Sequence, residues 1–571
     1  MHGFIAQISL KENIQSFEFE WKPLFDFQSP HIKRTFIEQN VISEQFTSEK
    51  FLSEKLWLDT KDFFIVTEGL IINIDKLHKK YKTKNYEELI RTLSDNNESF
   101  FNEFRGNFVG FYWNKKNHSF IAFNNHTGTK KLFYYHSSDY LIFSTDLYTL
   151  SKSLENLHLK KTLDINASYL LLTSGFMQDN YTLIKEVKQI TAGKYADCSN
   201  SLLSIKSYFN LEKIHDNNDS VDDIIKNLDD IFEKSIQMEY TFEKKYHYTP
   251  LTTLSGGLDS RMVALMANDQ NYRNQVLFNF SVKGYADEVI AKEIANAYNM
   301  PLIQVSLTSD GLLAIDDVVA VNDGLTVYSA IGHVFEAIKG VSDTQIGIVH
   351  TGILGDAILG SYLSKKKEVK PKITDGLFST GLLSKAASIL EKSISRYQNE
   401  ELYKLYNRAF LGINTGFLYF DLIAETSSPF LNPDFISYAY SIPKKLKYRE
   451  RIYIDWIKKR HPEYTRFVWE SIGGKPNNNN LIRIIYRLKR AIMKRLPIKN
   501  MWRNNMTPEQ FWYDENPMIK QYLDNYFSLH ISDIAFEPKL INDMTQLYYD
   551  GNITEKTQVL TLLSAYKLLF K

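Results

Sequence analysis

Leu254-Ser255-Gly256-Gly257-Leu258-Asp259-Ser260-Arg261 is the stretch from which the rest of the chain is read. An apolar, strand-like run, YTPLTTLSGG (248–257), leads into it, and the helical run MVALMAND (262–269) follows. Two adjacent glycines between strand and helix let the backbone bend tightly and meet a ligand with no Cβ in the way. The hydroxyls of Ser255 and Ser260 and the unpaired N–H groups of the starting helix then converge, and helix N-termini favour phosphate. Asp259 suits bare phosphate poorly, so it implies Mg2+ between carboxylate and phosphate.

Downstream, QVLFNFSV (275–282), PLIQVSL (301–307) and TQIGIVHTG (344–352) read as further strands, separated by helical patterns around 259–270, 287–299 and 326–340. That alternation predicts an α/β fold with a parallel sheet and helices on both faces. From about 375 onward the patterns are almost all helical. Upstream, FFIVTEGLIINI (63–74), GNFVGFYWN (106–114), HSFIAFNN (118–125), KLFYYH (131–136) and YLIFST (140–145) alternate and are bounded by Gly, Asn, Ser or Asp, which predicts antiparallel strands. One helix is expected at 85–96, with Leu89, Ile90 and Leu93 on its buried face. The polar stretch KIHDNNDSVDD (213–223) breaks the pattern, so the expected domains are 1–205 and 219–571.

Composition narrows the class. The 571 residues carry 68 Lys+Arg against 67 Asp+Glu, which excludes a generically basic nucleic-acid binder. The most apolar windows, 346–363 and 409–431, are interrupted by Asp356 or by Asp421 and Glu425, so no membrane span is expected. The amino terminus lacks a secretory pattern, and a cytoplasmic protein is the expectation. The single cysteine, Cys198, excludes an internal disulfide or a multi-cysteine metal site.

SGGLDS resembles the pyrophosphate loop of the N-type ATP pyrophosphatases, in the asparagine synthetase branch. The resemblance implies ATP as cofactor, a carboxylate activated as its acyl-adenylate, and an amine that attacks it. Leu254, Ser255, Gly256, Gly257, Asp259 and Ser260 would form the phosphate loop. The segment 277–307 is similar to the one that supplies the adenine pocket, with Phe280, Ser281 and Val282 at the strand end. Residues 346–356 are similar to the second phosphate loop, which adds Gly352 and puts Asp356 on the second Mg2+ or pyrophosphate position, so that Asp259 and Asp356 are the expected metal ligands. Arg451, in YRERIYIDW, falls where the family carries a Lys that stabilises the departing pyrophosphate or the amide-forming step. The implied fold of this half is an adenine-nucleotide α-hydrolase-like (ATP pyrophosphatase) domain with a helical extension.

The first half, through 100–150 and ITAGKYADC (190–198), is similar to a class II glutaminase domain, an Ntn-hydrolase-like αββα sandwich. Its catalytic parts do not match. The family's cysteine after the initiator Met is His2 here, the asparagine of the glutamine pocket falls on Glu68, and its aspartate falls near Asn85. A bulky second residue also disfavours removal of the Met, so neither thiol nor free amine is expected, and the resemblance implies a degenerate, non-hydrolytic scaffold. An enzyme that adenylates but cannot release ammonia from glutamine must take its amine elsewhere, as beta-lactam synthetase and lasso peptide cyclases do. Where asparagine synthetase has a Glu and beta-lactam synthetase a Tyr, this chain has Ile353, which cannot accept a proton, so His350 and His333 become candidate bases.

The expected function is therefore an ATP-dependent carbon–nitrogen ligase that closes a lactam on a peptide. Its enzymatic rival is intermolecular amidation with free ammonia or another amine, making asparagine or a sugar acid amide. A rival of another class is a non-catalytic binding scaffold, against which the retained Asp259 argues. Expected partners are a carboxylate substrate such as a precursor peptide, and a protease or carrier protein. Eight basic residues between Arg483 and Arg503, with Ile485, Leu488 and Ile492 on the opposite face, predict a basic amphipathic helix.

Overall fold

In the computed structural model every residue is described except 1, 12–17, 24, 26–28, 200, 201, 342, 343 and, within 478–504, all but 482, 485 and 488. The predicted basic helix 483–503 thus lies outside the described residues, positions 485 and 488 apart.

The first half is built on two six-stranded sheets whose pairings are all antiparallel. One carries, in spatial order, Val187–Gln189, Phe133–His136, Tyr140–Ser144, Gly3–Ser9, Val41–Ser48 and His31–Glu38. The other carries Leu202–Ser207, Lys194–Ser199, Ser119–Asn124, Phe108–Asn114, Phe63–Gly69 and Trp57–Asp59. Alternate residues of each, such as Phe4, Ala6, Ile8, Val109 and Phe111, interdigitate between the sheets. Helices Ile74–Tyr81 and Tyr86–Asn96 cover the second sheet through Leu77, Leu89, Ile90 and Leu93, and helices Leu147–Asn156 and Ile165–Ser174 cover the first. The result is the expected αββα sandwich.

One expected strand limit shifts. The run 63–74 is not one strand, because Gly69 adopts φ +84° and the chain turns there before a helix begins at Ile74. The last strand of this half, Leu202–Ser207, is held by hairpin pairing with Lys194–Ser199.

The second half opens with α1 (Val221–Lys245), whose N-cap Ser220 accepts from the Asp223 N–H. Strands β1 (Thr249–Thr253), β2 (Val276–Ser281), β3 (Leu302–Ser306), β4 (Ile346–His350) and β5 (Glu425–Ser427) form one parallel sheet in the order β3-β2-β1-β4-β5. Helices α2 (Asp259–Asp269), α3 (Ala286–Tyr298) and α4 (Ser329–Ile338) connect strands within it. Strand β5 is the exception, among the described residues, to the nearly all-helical pattern expected beyond 375. It is three residues long, too short to show a period, and it forms by pairing Glu425–Ser427 with Ile348–His350. The order reverses between β1 and β4, which leaves a crevice at their carboxyl ends, the usual ligand site of such sheets. Helix Ile553–Phe570 packs Val559, Leu560 and Leu563 into a core shared with Leu170 and Leu171 of the first half and Val318 and Val319 of the second. No helix among the described residues is long and apolar enough to cross a membrane.

Candidate functional site

The crevice is framed by the loop after β1 and the loop after β4, pressed together by glycines. A Cβ on Gly352 would stand 2.5 Å from the Asp259 carbonyl carbon and 2.8 Å from the Ser260 Cα. One on Gly355 would stand 2.7 Å from the Asp259 carboxyl carbon, and one on Gly256 2.8 Å from Asp287 Oδ1. Within the first loop the Ser255 N–H donates to Ser260 Oγ (2.9 Å), the Gly257 N–H to Ser255 Oγ (3.2 Å) and the Gly256 N–H to Asp287 Oδ1 (2.7 Å). The loop is thus pre-shaped, and the donors it presents to an anion are the first-turn amides of α2, which starts at Asp259 with no side-chain cap.

Asp259 and Asp356 meet here. The Asp356 N–H donates to Asp259 Oδ2 at 2.9 Å. Burial, and then the charge of Asp356, push the Asp259 pKa well above the usual carboxylate range, and burial also raises that of Asp356. Tyr453, from α5 (Arg451–Arg460), is fully buried beside Asp259, and burial, then the charge of Asp259 and a hydrogen bond to it, raise its pKa well above the ordinary phenol value. Two half-buried, mutually repelling carboxylates next to a phosphate-type loop are a donor set that fits Mg2+, which would offset both charges.

A cavity of about 420 Å³ occupies the crevice. Of the residues expected to contact nucleotide, Leu254, Ser255, Ser260 and Phe280 line it, while Gly256, Gly257, Asp259, Gly352 and Asp356 lie in the loops around it. Ser281 and Val282 do not line it: both are buried, Ser281 at the end of β2 on the face opposite Phe280 and Val282 just beyond it. Arg451 is not brought to the site either. Its side chain is 63% exposed and lies 3.6 Å from Asp455, one turn along. Left-handed backbone at Arg449 (φ 57°) and Glu450 (φ 59°) swings the chain as α5 begins, and Tyr453 takes the inward place.

The two candidate bases separate as well. His350 is fully buried under the loop, bonded to Glu239 (3.2 Å) and Glu243 (2.8 Å) and stacked on Tyr240, so it is a core residue. His333 does line the cavity. Its ring centroid is 5.9 Å from that of Phe280, burial lowers its pKa to about 4, and its Nδ1 has no hydrogen-bond partner among the described residues. Arg408, which lines the cavity from the π-helical segment Lys404–Gly412, carries no motif and sequence reasoning missed it. Asp287 and Tyr453 were also missed. An Asp at the start of the helix after the second strand was the only available hint of the former.

The corresponding site of the first half is packed shut. Glu68, 1% exposed, accepts from Gln45 Nε2 (3.0 Å) and Thr47 Oγ1 (3.1 Å) and lies 3.3 Å from Lys55 Nζ. Lys55 reaches on to Glu425 (2.7 Å), and Lys130 pairs with Asp421 (2.8 Å) and Glu425 (3.4 Å), so this buried charge network crosses into the second half. Burial and then Lys55 hold the His2 pKa well below its ordinary value. The space left beside His2, Glu68 and Lys130 is about 20 Å³. Asn85 is an exposed helix cap that accepts from the Glu88 N–H, and Cys198 is buried with its thiol pushed up to about 11 by burial.

Residues 55–209 match the family model described as a glutamine amidotransferase domain, and residues 248–411 the one described as asparagine synthase. A search of curated proteins found no match. Among solved structures, the allosteric regulatory enzyme of purine biosynthesis is 9% identical with a TM-score of 0.21, over 47% of this chain and 52% of that one, so the chain spans about half its length. The glutamine phosphoribosylpyrophosphate amidotransferase from B. subtilis, complexed with ADP and GMP, is 8% identical with a TM-score of 0.22, over 65% and 83%. Scores this low carry no argument. The two family models, found in this order, make the chain similar to the asparagine synthetase family over residues 55–209 and 248–411.

Proposed function

We propose that the chain is an ATP- and Mg2+-dependent ligase that activates a carboxylate as its acyl-adenylate and joins it to an amine without hydrolysing glutamine. One contrast carries the reading: the crevice of the second half holds a 420 Å³ cavity beside a pre-shaped phosphate loop, whereas the space beside His2 is 20 Å³ and filled by Glu68 and its partners.

In this mechanism a carboxylate oxygen attacks the α-phosphorus of ATP, the bond to the β-phosphate oxygen breaks, and pyrophosphate leaves along the loop. Ser255, Ser260 and the first turn of α2 hold the departing phosphates. Asp259 and Asp356 would hold Mg2+, which supplies charge neutralisation there. The amine nitrogen then attacks the acyl carbon and AMP leaves. Ile353 takes no proton, so the acceptor on this chain is His333, neutral and with its Nδ1 bonded to no described residue. Positioning and electrostatics, not covalent catalysis, account for the rate. The finer reading is lactam closure on a precursor peptide, as in lasso peptide cyclases, with a protease or carrier protein as partner. The closed glutaminase-type pocket supports it.

Purified protein with ATP, Mg2+ and an acceptable carboxylate should form AMP and pyrophosphate. Formation of ADP, or failure to bind nucleotide, refutes the mechanism. Incubation with glutamine should release no glutamate, and measurable release would overturn the claim that the first site is closed.

A further inference from the structure

Most of the cavity wall belongs to neither phosphate loop. Phe176 comes from the first half, pairing with Thr326 in an isolated bridge and meeting Phe378 at 6.2 Å between ring centroids. Ile413, Phe420 and Val334 complete an apolar lining opposite the nucleotide loop. The polar side chains of the wall are largely engaged. Asn279 donates to the Leu254 carbonyl (2.7 Å) and accepts from Gln304 (2.8 Å), Thr326 accepts from Thr415 (3.1 Å), and Thr351 donates to the Ser427 carbonyl (3.4 Å).

Arg408 stands apart. Among the described residues that line the cavity it is the one permanent cation and there is no carboxylate. It forms no ion pair or hydrogen bond with any described residue, it is exposed at the cavity rim, and it is near enough to Asp356 to favour that residue's charged form. A polar amino-acid substrate would bring an ammonium that nothing in the described wall compensates, and an unpaired charge in an apolar site is costly. A carboxylate on an apolar body meets no such cost.

We infer that Arg408 anchors the carboxylate of the substrate and that this substrate is an acid borne on an apolar body the size of one or two hydrophobic side chains. The body packs on Phe176, Phe378, Ile413 and Phe420, and any larger remainder stays outside. This rests on the ligase reading above, deepening it to a substrate class.

The test pairs calorimetric ATP binding with carboxylate-dependent exchange of labelled pyrophosphate into ATP. 4-Phenylbutanoate and 4-methylpentanoate should stimulate exchange and aspartate should not. Arg408→Gln should raise the KM for the apolar acid by about 10- to 100-fold, the range expected for a hydrogen bond to a charged group. The ATP Kd should stay within about twofold, and Arg408→Lys should recover part of the loss. Phe378→Ala should raise the same KM without moving the ATP Kd. ATP binding together with exchange driven by aspartate alone, or by none of these acids, or an Arg408→Gln protein with an unchanged KM, would overturn the substrate class and leave the ligase reading standing. A wild-type protein that binds no ATP would overturn both.

Discussion

Replacing Gly352 with alanine puts a methyl group into the contact that brings the two loops of the crevice together. The added carbon would lie 2.5 Å from the Asp259 carbonyl carbon, against about 3.4 Å for ordinary contact, a shortfall of about 0.9 Å against backbone atoms that no rotamer can relieve. The loops must separate by nearly that much, carrying Asp356 away from Asp259 and breaking their 2.9 Å hydrogen bond. A displacement of about 1 Å in a positioned site costs on the order of 100-fold in turnover, and overpacking costs about 1–3 kcal/mol of stability. The assay is pyrophosphate formation from ATP, with urea denaturation on the same preparation. Gly340→Ala, where the new carbon meets its nearest neighbour at an ordinary 3.4 Å, is the control and should change neither. A Gly352→Ala protein with wild-type turnover would show that the spacing of the loops is not what organises the site.

Further outcomes follow from the buried charges. Asp259→Asn should abolish pyrophosphate formation and leave the melting temperature unchanged or higher, because burial and Asp356 already disfavour its charge; a large fall in melting temperature would refute that account. Burial alone would lower the His350 pKa, but hydrogen bonds and charge from Glu239 and Glu243 carry it up to about 9. Its stabilising contribution is therefore full below the ordinary value of 6.5 and lost as pH rises from there to 9, and denaturation midpoints across that range should fall for the wild type and flatten for His350→Gln. Lys130→Met leaves Asp421 and Glu425 short of a counter-charge in a buried site, so it should cost about 3–5 kcal/mol in equilibrium unfolding, and a neutral result would mean that water reaches the network.

The parts of this molecule that act within a few residues of one another were legible in the sequence. Ser255 to Ser260 form one turn, and its glycines, hydroxyls and carboxylate declare their use by spacing alone. Leu89, Ile90 and Leu93 found their face because a helix repeats. Arg408 could not be found that way, since it reaches the cavity from a π-helical segment about 150 residues downstream and has no neighbours that mark it. Arg451 sat at the expected position in the chain and still missed the site, because left-handed backbone at Arg449 and Glu450 decides which way the helix points. His350 looked like a candidate base from its place at a strand end, and only the fold reveals the two glutamates of α1 that enclose it.

The charges that cross between the halves bear on how such a protein can change over generations. Lys55 and Lys130 are counter-ions for Glu425 and Asp421, residues that flank and form the edge strand of the parallel sheet. Deleting the first half would strip those lysines away and leave two carboxylates stranded beside the strand that completes the crevice. Whatever chemistry the first half performs or has given up, it supplies the counter-charges around which the edge of the second half is built.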